Sequence, residues 1–381
     1  MNAALPRWRA FGASVQGAAH ARRGAPNQDA FECWAADAGG PIAIGAVADG
    51  HGGARHFRSA RGAAFAVAAA VDVLRGQRDE AAASDDVPQR IVAAWRGRVA
   101  ADLAARPLVA DELAQAAREE SPAAAAEVRA DPTLAYGATL VAAAAHARST
   151  IVLQLGDGEV LCVAADGRTT RPLPGDTRLA RGRTTSLCQP EAWREFRVAR
   201  IGGQEPQPAM LVLATDGYAN AFRSDSDFLR VGADLFALLR GDGSDALAAQ
   251  LAGFLSEASA HGSGDDVTVA ILHPDPLPDA AAPDIWDEPA DAAAPRAPDR
   301  AGGARRWVVA GAAVALALAA AWIANRKDEP ARPGPAASGA APARPLPDGR
   351  RDPLPGIGDP FPGERVPDKG RRRDPAARAV E

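Results

Sequence analysis

Short apolar runs and alanine-rich helical stretches alternate along the first 273 positions, and their order sets the fold class. Runs at 30–34 and 42–48 flank Asp37-Ala38-Gly39-Gly40-Pro41, which predicts strand, turn and strand. From 54 to 74 the spacing becomes helical, and 88–105 predicts a second helix. Segment 109–132 is ambiguous, because its alanines favour helix while Pro122 and Pro132 break it. Three further strands are expected at 139–145, 149–155 and 160–164, separated by His146-Ala147-Arg148 and by Gly156-Asp157-Gly158. Asp166-Gly167 then marks a hairpin turn. A strand at 210–214, helices over 227–240 and 244–260, and a closing strand from Val267 complete the series. Strands, helices, strands, helices and a strand make an α+β layered order rather than a βα repeat.

The pattern changes after residue 273. Residues 274–304 are rich in Pro, Ala and Asp with no periodic apolar positions, which reads as an extended linker. The segment 305–325 holds 18 uncharged, apolar residues, 307–324, after Arg305-Arg306 and before Asn325-Arg326-Lys327. That length just spans a bilayer, and Trp307 and Trp322 stand where interfacial anchors belong, so a single transmembrane helix is expected. Residues 326–381, rich in Pro, Gly and Arg, read as a disordered tail. Met1 to Arg23 contains no apolar core and is interrupted by Arg7, Arg9, Arg22 and Arg23. The expectation is a single-pass protein of the bacterial cytoplasmic membrane whose globular part, 1–273, stays in the cytoplasm.

Composition narrows the chemistry. The chain has 381 residues, 47% of them hydrophobic, enough to bury a core, and its net charge of −5 gives no sign of a nucleic-acid surface. All basic residues except Lys327 and Lys369 are arginine, a bias that fits a GC-rich bacterium. The three cysteines, Cys33, Cys162 and Cys188, have no Cys-x-x-Cys spacing, which disfavours a thiolate metal site or a disulfide framework. There is no Gly-x-Ser-x-Gly elbow for an acyl-enzyme and no P-loop.

Four aspartates sit in glycine- or turn-rich settings. They are Asp29 in Asn27-Gln28-Asp29, Asp49 in Asp49-Gly50-His51-Gly52-Gly53, Asp216 in Thr215-Asp216-Gly217 and Asp265 in Gly264-Asp265-Asp266. Carboxylates delivered by strand ends can converge on one hard cation, and Mg2+ and Mn2+ take such oxygen ligands in octahedral geometry. Asp-Gly pairs are also ordinary turn residues. The Asp-Gly-His-Gly-Gly run is different, since a histidine in a glycine-rich turn after an apolar strand has little structural reason to be there. Asp49 is placed to bridge two ions, and Gly50 can offer its carbonyl without a Cβ clash. Two close ions would activate a bridging water and neutralise a phosphoryl oxygen, with His51 protonating the leaving oxygen. The pattern predicts a metal-dependent hydrolase.

Taken in order, Gln28-Asp29-Ala30, Val47-Ala48-Asp49-Gly50-His51-Gly52-Gly53, Tyr136-Gly137-Ala138-Thr139-Leu140, Leu155-Gly156-Asp157-Gly158, Ala214-Thr215-Asp216-Gly217 and Gly264-Asp265-Asp266-Val267-Thr268 resemble the metal-dependent protein phosphatases of type 2C. The resemblance covers 11–273. It implies a four-layer αββα sandwich, two antiparallel sheets flanked by helix pairs, with two catalytic Mn2+ or Mg2+ ions in a cleft at one end. Asp49 would bridge both ions, Gly50 would lend its carbonyl, Asp216 and Asp265 would complete the second ion's ligands, and Asp29 would hold metal-bound water. Asp157 would share a third, weaker ion with Asp216, and His51 would be the general acid. The implied activity is hydrolysis of phosphoserine and phosphothreonine, with phosphorylated proteins and a serine/threonine kinase as partners.

Some positions depart from the family. Many relatives carry a phosphate-gripping arginine five positions before the first aspartate, where this chain has Gly24; Arg22, Arg23 and His20 lie close by as candidate anchors. Gln28 replaces a common Glu, and Asp266 a common Asn. The missing arginine keeps open a catalytically weak, phosphoprotein-binding or scaffold module in membrane signalling. His56, His146 and His273 read as surface or packing residues, while His261, four residues before Asp265, is a weaker site candidate.

Overall fold

Ten strands and eight α-helices are built from the residues that the computed structural model describes, 7–36, 42–76, 85–179, 184–202 and 206–279. In chain order they are β1 (Arg7–Val15), α1 (Ala18–Arg23), β2 (Ala30–Ala35), β3 (Ile42–Ala48), α2 (Ser59–Arg75), α3 (Val87–Ala105), α4 (Ala110–Glu119), α5 (Pro122–Ala130), β4 (Leu140–His146), β5 (Ser149–Leu155), β6 (Glu159–Val163), β7 (Thr169–Thr170), β8 (Arg197–Gly202), β9 (Met210–Ala214), α6 (Asp216–Ala219), α7 (Asp225–Asp242), α8 (Ser244–Ala258) and β10 (Val267–Asp275). One antiparallel sheet has the order β1-β10-β9-β6-β7 and the other β2-β3-β4-β5-β8.

Side-chain alternation explains the layering. On β3 to β5, Ile44, Ala46, Ala142, Ala144 and Leu153 pack outward with residues of α2 and α3 such as Val67, Val71, Ile91 and Trp95. Their neighbours Ala43, Val47, Val141, Ala143 and Val152 face inward and meet Trp8, Leu211, Leu213, Ala270 and Leu272 of the other sheet. The outer face of that second sheet, with Val212, Val269 and Ile271, is covered by Leu235, Leu239, Leu251 and Leu255 of α7 and α8. A central strand buried on both faces has no polar side, so it reads as a continuous apolar run. The α+β sandwich of two antiparallel sheets flanked by helices is therefore present.

Three expectations need correction. Pro122 and Pro132 do not break the 109–132 segment; each stands in the first turn of a new helix, α5 and a 3-10 turn over Pro132–Tyr136. A proline there forfeits an N–H that the helix would leave unpaired anyway. Ser121 Oγ accepts from Ala124 N at 3.1 Å and Asp131 Oδ1 from Thr133 N at 3.0 Å, capping both starts. The 54–74 helix is a 3-10 turn at Ala54–His56 followed by α2. β10 continues to Asp275, past the expected boundary at 273.

A buried charge cluster ties the helices behind β3. Asp102 of α3 is bound by Arg61 of α2, by Arg106 at 3.0 Å and by Tyr136 Oη, which donates at 2.6 Å. Arg58 donates to Tyr136 Oη at 2.7 Å and to both Glu112 oxygens at 2.8 and 2.9 Å. The 37–41 turn, most of the 274–304 linker, the 305–325 helix and the 326–381 tail lie outside the described residues. Among the described residues no helix is long and apolar enough to cross a membrane.

Candidate metal centre

Antiparallel pairing brings alternate strand starts and ends to one edge of the sandwich. Ala30 at the start of β2 pairs with Ala48 at the end of β3, and Leu140 at the start of β4 with Leu155 at the end of β5. In the other sheet Glu159 and Val269 both pair with Ala214 at the end of β9. Asp29, Asp49, Asp157 and Asp216 each lie within two residues of one of these strand ends, and Asp265 two residues before the start of β10 at Val267, so all five are delivered to the same edge.

Oxygens of Asp49, Asp157 and Asp216 all lie within 4.8 Å of one another. Burial pushes the Asp49 carboxyl well above its ordinary value, and the next four influences, Asp29, Asp216, Asp157 and Asp265, are all carboxylates that push it the same way. Asp216 is raised to about 6 by burial and then by Asp157 and Asp265. Burial raises Asp29 to about 7, against hydrogen bonds from Thr215 and Thr268 and with help from Asp266 and Asp216. Carboxylates forced together without a counter-charge hold protons; a divalent cation would convert that repulsion into ligation. The donor set, hard and anionic, fits Mg2+ or Mn2+.

Neighbouring groups hold this array. Thr215 Oγ1 donates to Asp29 Oδ2 at 2.7 Å and accepts from Thr268 N at 3.1 Å, while Asn27 Oδ1 accepts from Asp29 N at 2.9 Å. Asp266 is buried, and its two oxygens accept from Gly17 N at 2.6 Å and Gln28 N at 2.7 Å, joining the β1–α1 and α1–β2 loops to the start of β10. Gln28 is more than a neutral substitute for Glu. Its amide nitrogen donates to Ser59 Oγ at 2.6 Å and to His51 O at 3.3 Å, pinning the Asp-Gly-His-Gly-Gly loop to α2. A Cβ on Gly50 would lie 2.7 Å from Gln28 O and from the Ser59 backbone, so close packing alone requires glycine there.

His51 packs edge-on against His56, ring centroids 5.0 Å apart, and burial, then the nearby His56, lowers it to about 4. His56 is thus a packing residue, tied through Nδ1 to Leu134 O. His20 lies beside the array, with Nε2 3.5 Å from Asp265 Oδ1 and Nδ1 3.0 Å from Asp266 Oδ1. Arg22 and Arg23 are exposed at the end of α1, and Arg23 Nε donates to Ala19 O at 3.2 Å; no described hydrogen bond or ion pair joins either to the carboxylates. Gly24 caps α1 with φ +69°, a left-handed conformation that would strain an arginine. His261 is exposed and 3.0 Å from Glu257, whereas His146 and His273 are buried in strands. The hydroxyls of Thr215 and Thr268 went unnoticed in the sequence. No local signal marked them, because Thr215 Oγ1 becomes informative only through Asp29, 186 residues away.

A family model for protein phosphatase 2C matches residues 16–256. No curated protein matches the chain. Among solved structures, PppA, a key regulatory component of T6SS in Pseudomonas aeruginosa, is 21% identical, with 71% of this chain and 99% of that one covered and a TM-score of 0.43. The Mycobacterium tuberculosis serine/threonine phosphatase PstP/Ppp is 19% identical over 70% of this chain and 98% of that one, TM-score 0.41. A PstP catalytic domain in complex with two manganese ions gives 20%, 70%, 98% and 0.42 for the same measures. The family model spans well over half of the chain and takes in Asp29, Asp49, Asp157 and Asp216. On that match this chain belongs to the protein phosphatase 2C family and is a metal-dependent serine/threonine protein phosphatase.

Proposed function

We propose that the enzyme hydrolyses phosphoserine and phosphothreonine in proteins with water as the direct nucleophile, at a centre that would hold two Mn2+ or Mg2+ ions and a third, weaker one. The observation that carries this reading is the approach of Asp49, Asp157 and Asp216 to within 4.8 Å. Asp49, Asp157, Asp216, Asp265 and the Gly50 carbonyl would hold the ions, with Asp29 behind them. Bound divalent ions supply Lewis acidity, which lowers the pKa of water and neutralises charge on the phosphoryl group. The chain's own part is to keep the array rigid: Thr215 locks Asp29, Asp266 joins three segments, and Gln28 pins the loop carrying His51. We assign His51 to the leaving oxygen. Burial keeps it neutral at pH 7, so it donates a hydrogen bond until the substrate's negative charge draws its pKa upward.

The proposal includes a place in the cell. The apolar stretch 307–324, with tryptophan near each end and arginines beside it, supports a single membrane helix and a cytoplasmic catalytic domain. Phosphorylated proteins at that membrane face, and the serine/threonine kinase that makes them, are the expected partners.

The deciding assay is Mn2+-dependent release of phosphate from a phosphothreonine peptide by the full chain. Asp49→Asn and Asp216→Asn should each lower kcat/KM by more than the roughly 10- to 100-fold expected for residues that only support ligands. Equal activity in EDTA, or full activity in both variants, would sink the chemical reading. Fractionation tests the tether: the full chain should pellet with membranes and a chain ending at residue 303 should not, and identical partitioning of the two rejects it.

A further inference from the structure

Gln154 is the next-to-last residue of β5 and is only 6% exposed. A buried primary amide is costly unless both its ends are paired. Here both are. Its nitrogen donates to Gly158 O at 2.5 Å and reaches Gly156 O at 3.4 Å, the two carbonyls that flank Asp157. Its oxygen accepts from Arg197 Nη2 at 2.7 Å, from the residue directly opposite on β8. Arg197 in turn donates through Nη1 to Pro174 O and stands 3.6 Å from Asp176, which is gripped by Arg178 at 2.7 Å. On the other side of the turn, Gly156 N donates to Thr185 Oγ1 at 2.8 Å. None of these bonds uses the Asp157 carboxylate, whose oxygen is with those of Asp49 and Asp216.

The chemistry of the relay narrows the side chain to one that both donates and accepts, with the reach to span both ends. The Gly156 and Gly158 carbonyls accept only, and a guanidinium donates only, so the side chain between them must donate at one end and accept at the other. Glutamine does this, and Arg197 decides which way round its amide lies. Glutamate would pair with Arg197 but face two carbonyls with a second acceptor. Leucine would fill the space and satisfy neither end.

We propose that Gln154 is a positioning residue of the metal centre, holding the Gly156-Asp157-Gly158 turn so that Asp157 faces Asp49 and Asp216, with Arg197 orienting its amide. The proposal rests on the metal-centre reading above. It is tested by calorimetric titration of Mn2+ into the chelator-treated full chain, with melting temperature followed in parallel. Gln154→Leu and Gln154→Glu should each weaken one manganese-binding step by roughly 10- to 100-fold while the other steps stay within about twofold. Arg197→Lys, which keeps a donor for the amide oxygen, should lose less than Arg197→Ala. Unchanged affinity at every step alongside a lower melting temperature would assign Gln154 to packing alone and overturn the proposal. If Gln154→Leu does not fold, Arg197→Ala decides, and wild-type manganese affinity in that variant overturns it equally. A wild-type chain that takes up no manganese overturns the metal-centre reading, and the relay with it.

Discussion

Removing divalent ions from this enzyme should make its stability fall as pH rises from 4 to 7, because the carboxylates of the centre are proton-loving in the folded state. Asp29 is raised from 3.8 to about 7, Asp216 to about 6, and Asp49 well above 3.8, with burial the first cause in each. A carboxyl whose folded pKa exceeds its unfolded one binds its proton more tightly when native. Its stabilisation is complete below about pH 4 and disappears as pH climbs through the folded value. For Asp29 alone, three units at about 1.4 kcal/mol each give on the order of 4 kcal/mol. At about 2–4 °C per kcal/mol for a domain of this size, the melting temperature of the chelated chain should drop by roughly 10 °C between pH 4 and 7. Two kinds of shift have the opposite sign. Asp176, lowered to about 2 first by its hydrogen bond with Arg178, loses its contribution only as pH falls below about 4, outside the window. His51, lowered from 6.5 to about 4 by burial and joined by His56 and His273, regains about 3 kcal/mol as pH rises from 4 to 6.5. That gain offsets Asp216 and leaves Asp29 and Asp49 to set the fall. Manganese should reverse the trend, since the ions ligate ionised carboxylates and so stabilise more at higher pH. Circular dichroism melts in EDTA and in Mn2+, with Asp29→Asn as a control that removes its share of the slope, make the comparison. A chelated melting temperature that is flat or rising between pH 4.5 and 7 refutes the electrostatic account of the centre.

What the sequence made legible follows from burial. Strands β3, β5 and β9 are buried on both faces, and their apolar runs coincide with the observed elements. β1 escaped notice because Arg7 and Arg9 interrupt its pattern and its partners are far away in sequence, Trp8 lying opposite Pro274. β8, an edge strand with alternating exposure, carries Arg197 and Arg200 in only six residues and was equally silent. The aspartates were readable because each needs a turn, and turns announce themselves through Gly and Asn. Thr215, Gln154 and Thr185 carried no such mark. A hydroxyl or amide becomes informative only through the group it meets, and those partners are brought close by sheet pairing, as with Thr215 and Asp29, 186 residues apart.

Three further outcomes are expected. Asp102→Ala should lower stability by about 1–3 kcal/mol in chemical denaturation, since it leaves the buried Tyr136 hydroxyl without an acceptor, while the partly exposed Arg61 and Arg106 can turn to water; a loss below about 0.5 kcal/mol would show that cluster to be dispensable. The thiols of half-buried Cys33 and buried Cys162 are both pushed up to about 12 by burial, with Glu32 adding to the first, so at pH 8 the native chain should react with a thiol reagent at Cys162 only after denaturation and at Cys33 much more slowly than the denatured chain. Prompt labelling of the native chain at Cys33 or Cys162 contradicts this. Gln28→Glu restores the residue common in relatives, yet here it should destabilise. Ser59 can turn its hydroxyl to donate to a carboxylate, but His51 O loses its donor and gains a facing acceptor, a cost of about 1–3 kcal/mol. If the Glu variant melts with or above the wild type, the amide is not what pins the Asp-Gly-His-Gly-Gly loop, and the close contact of Gly50 with Gln28 O and Ser59 must hold it instead.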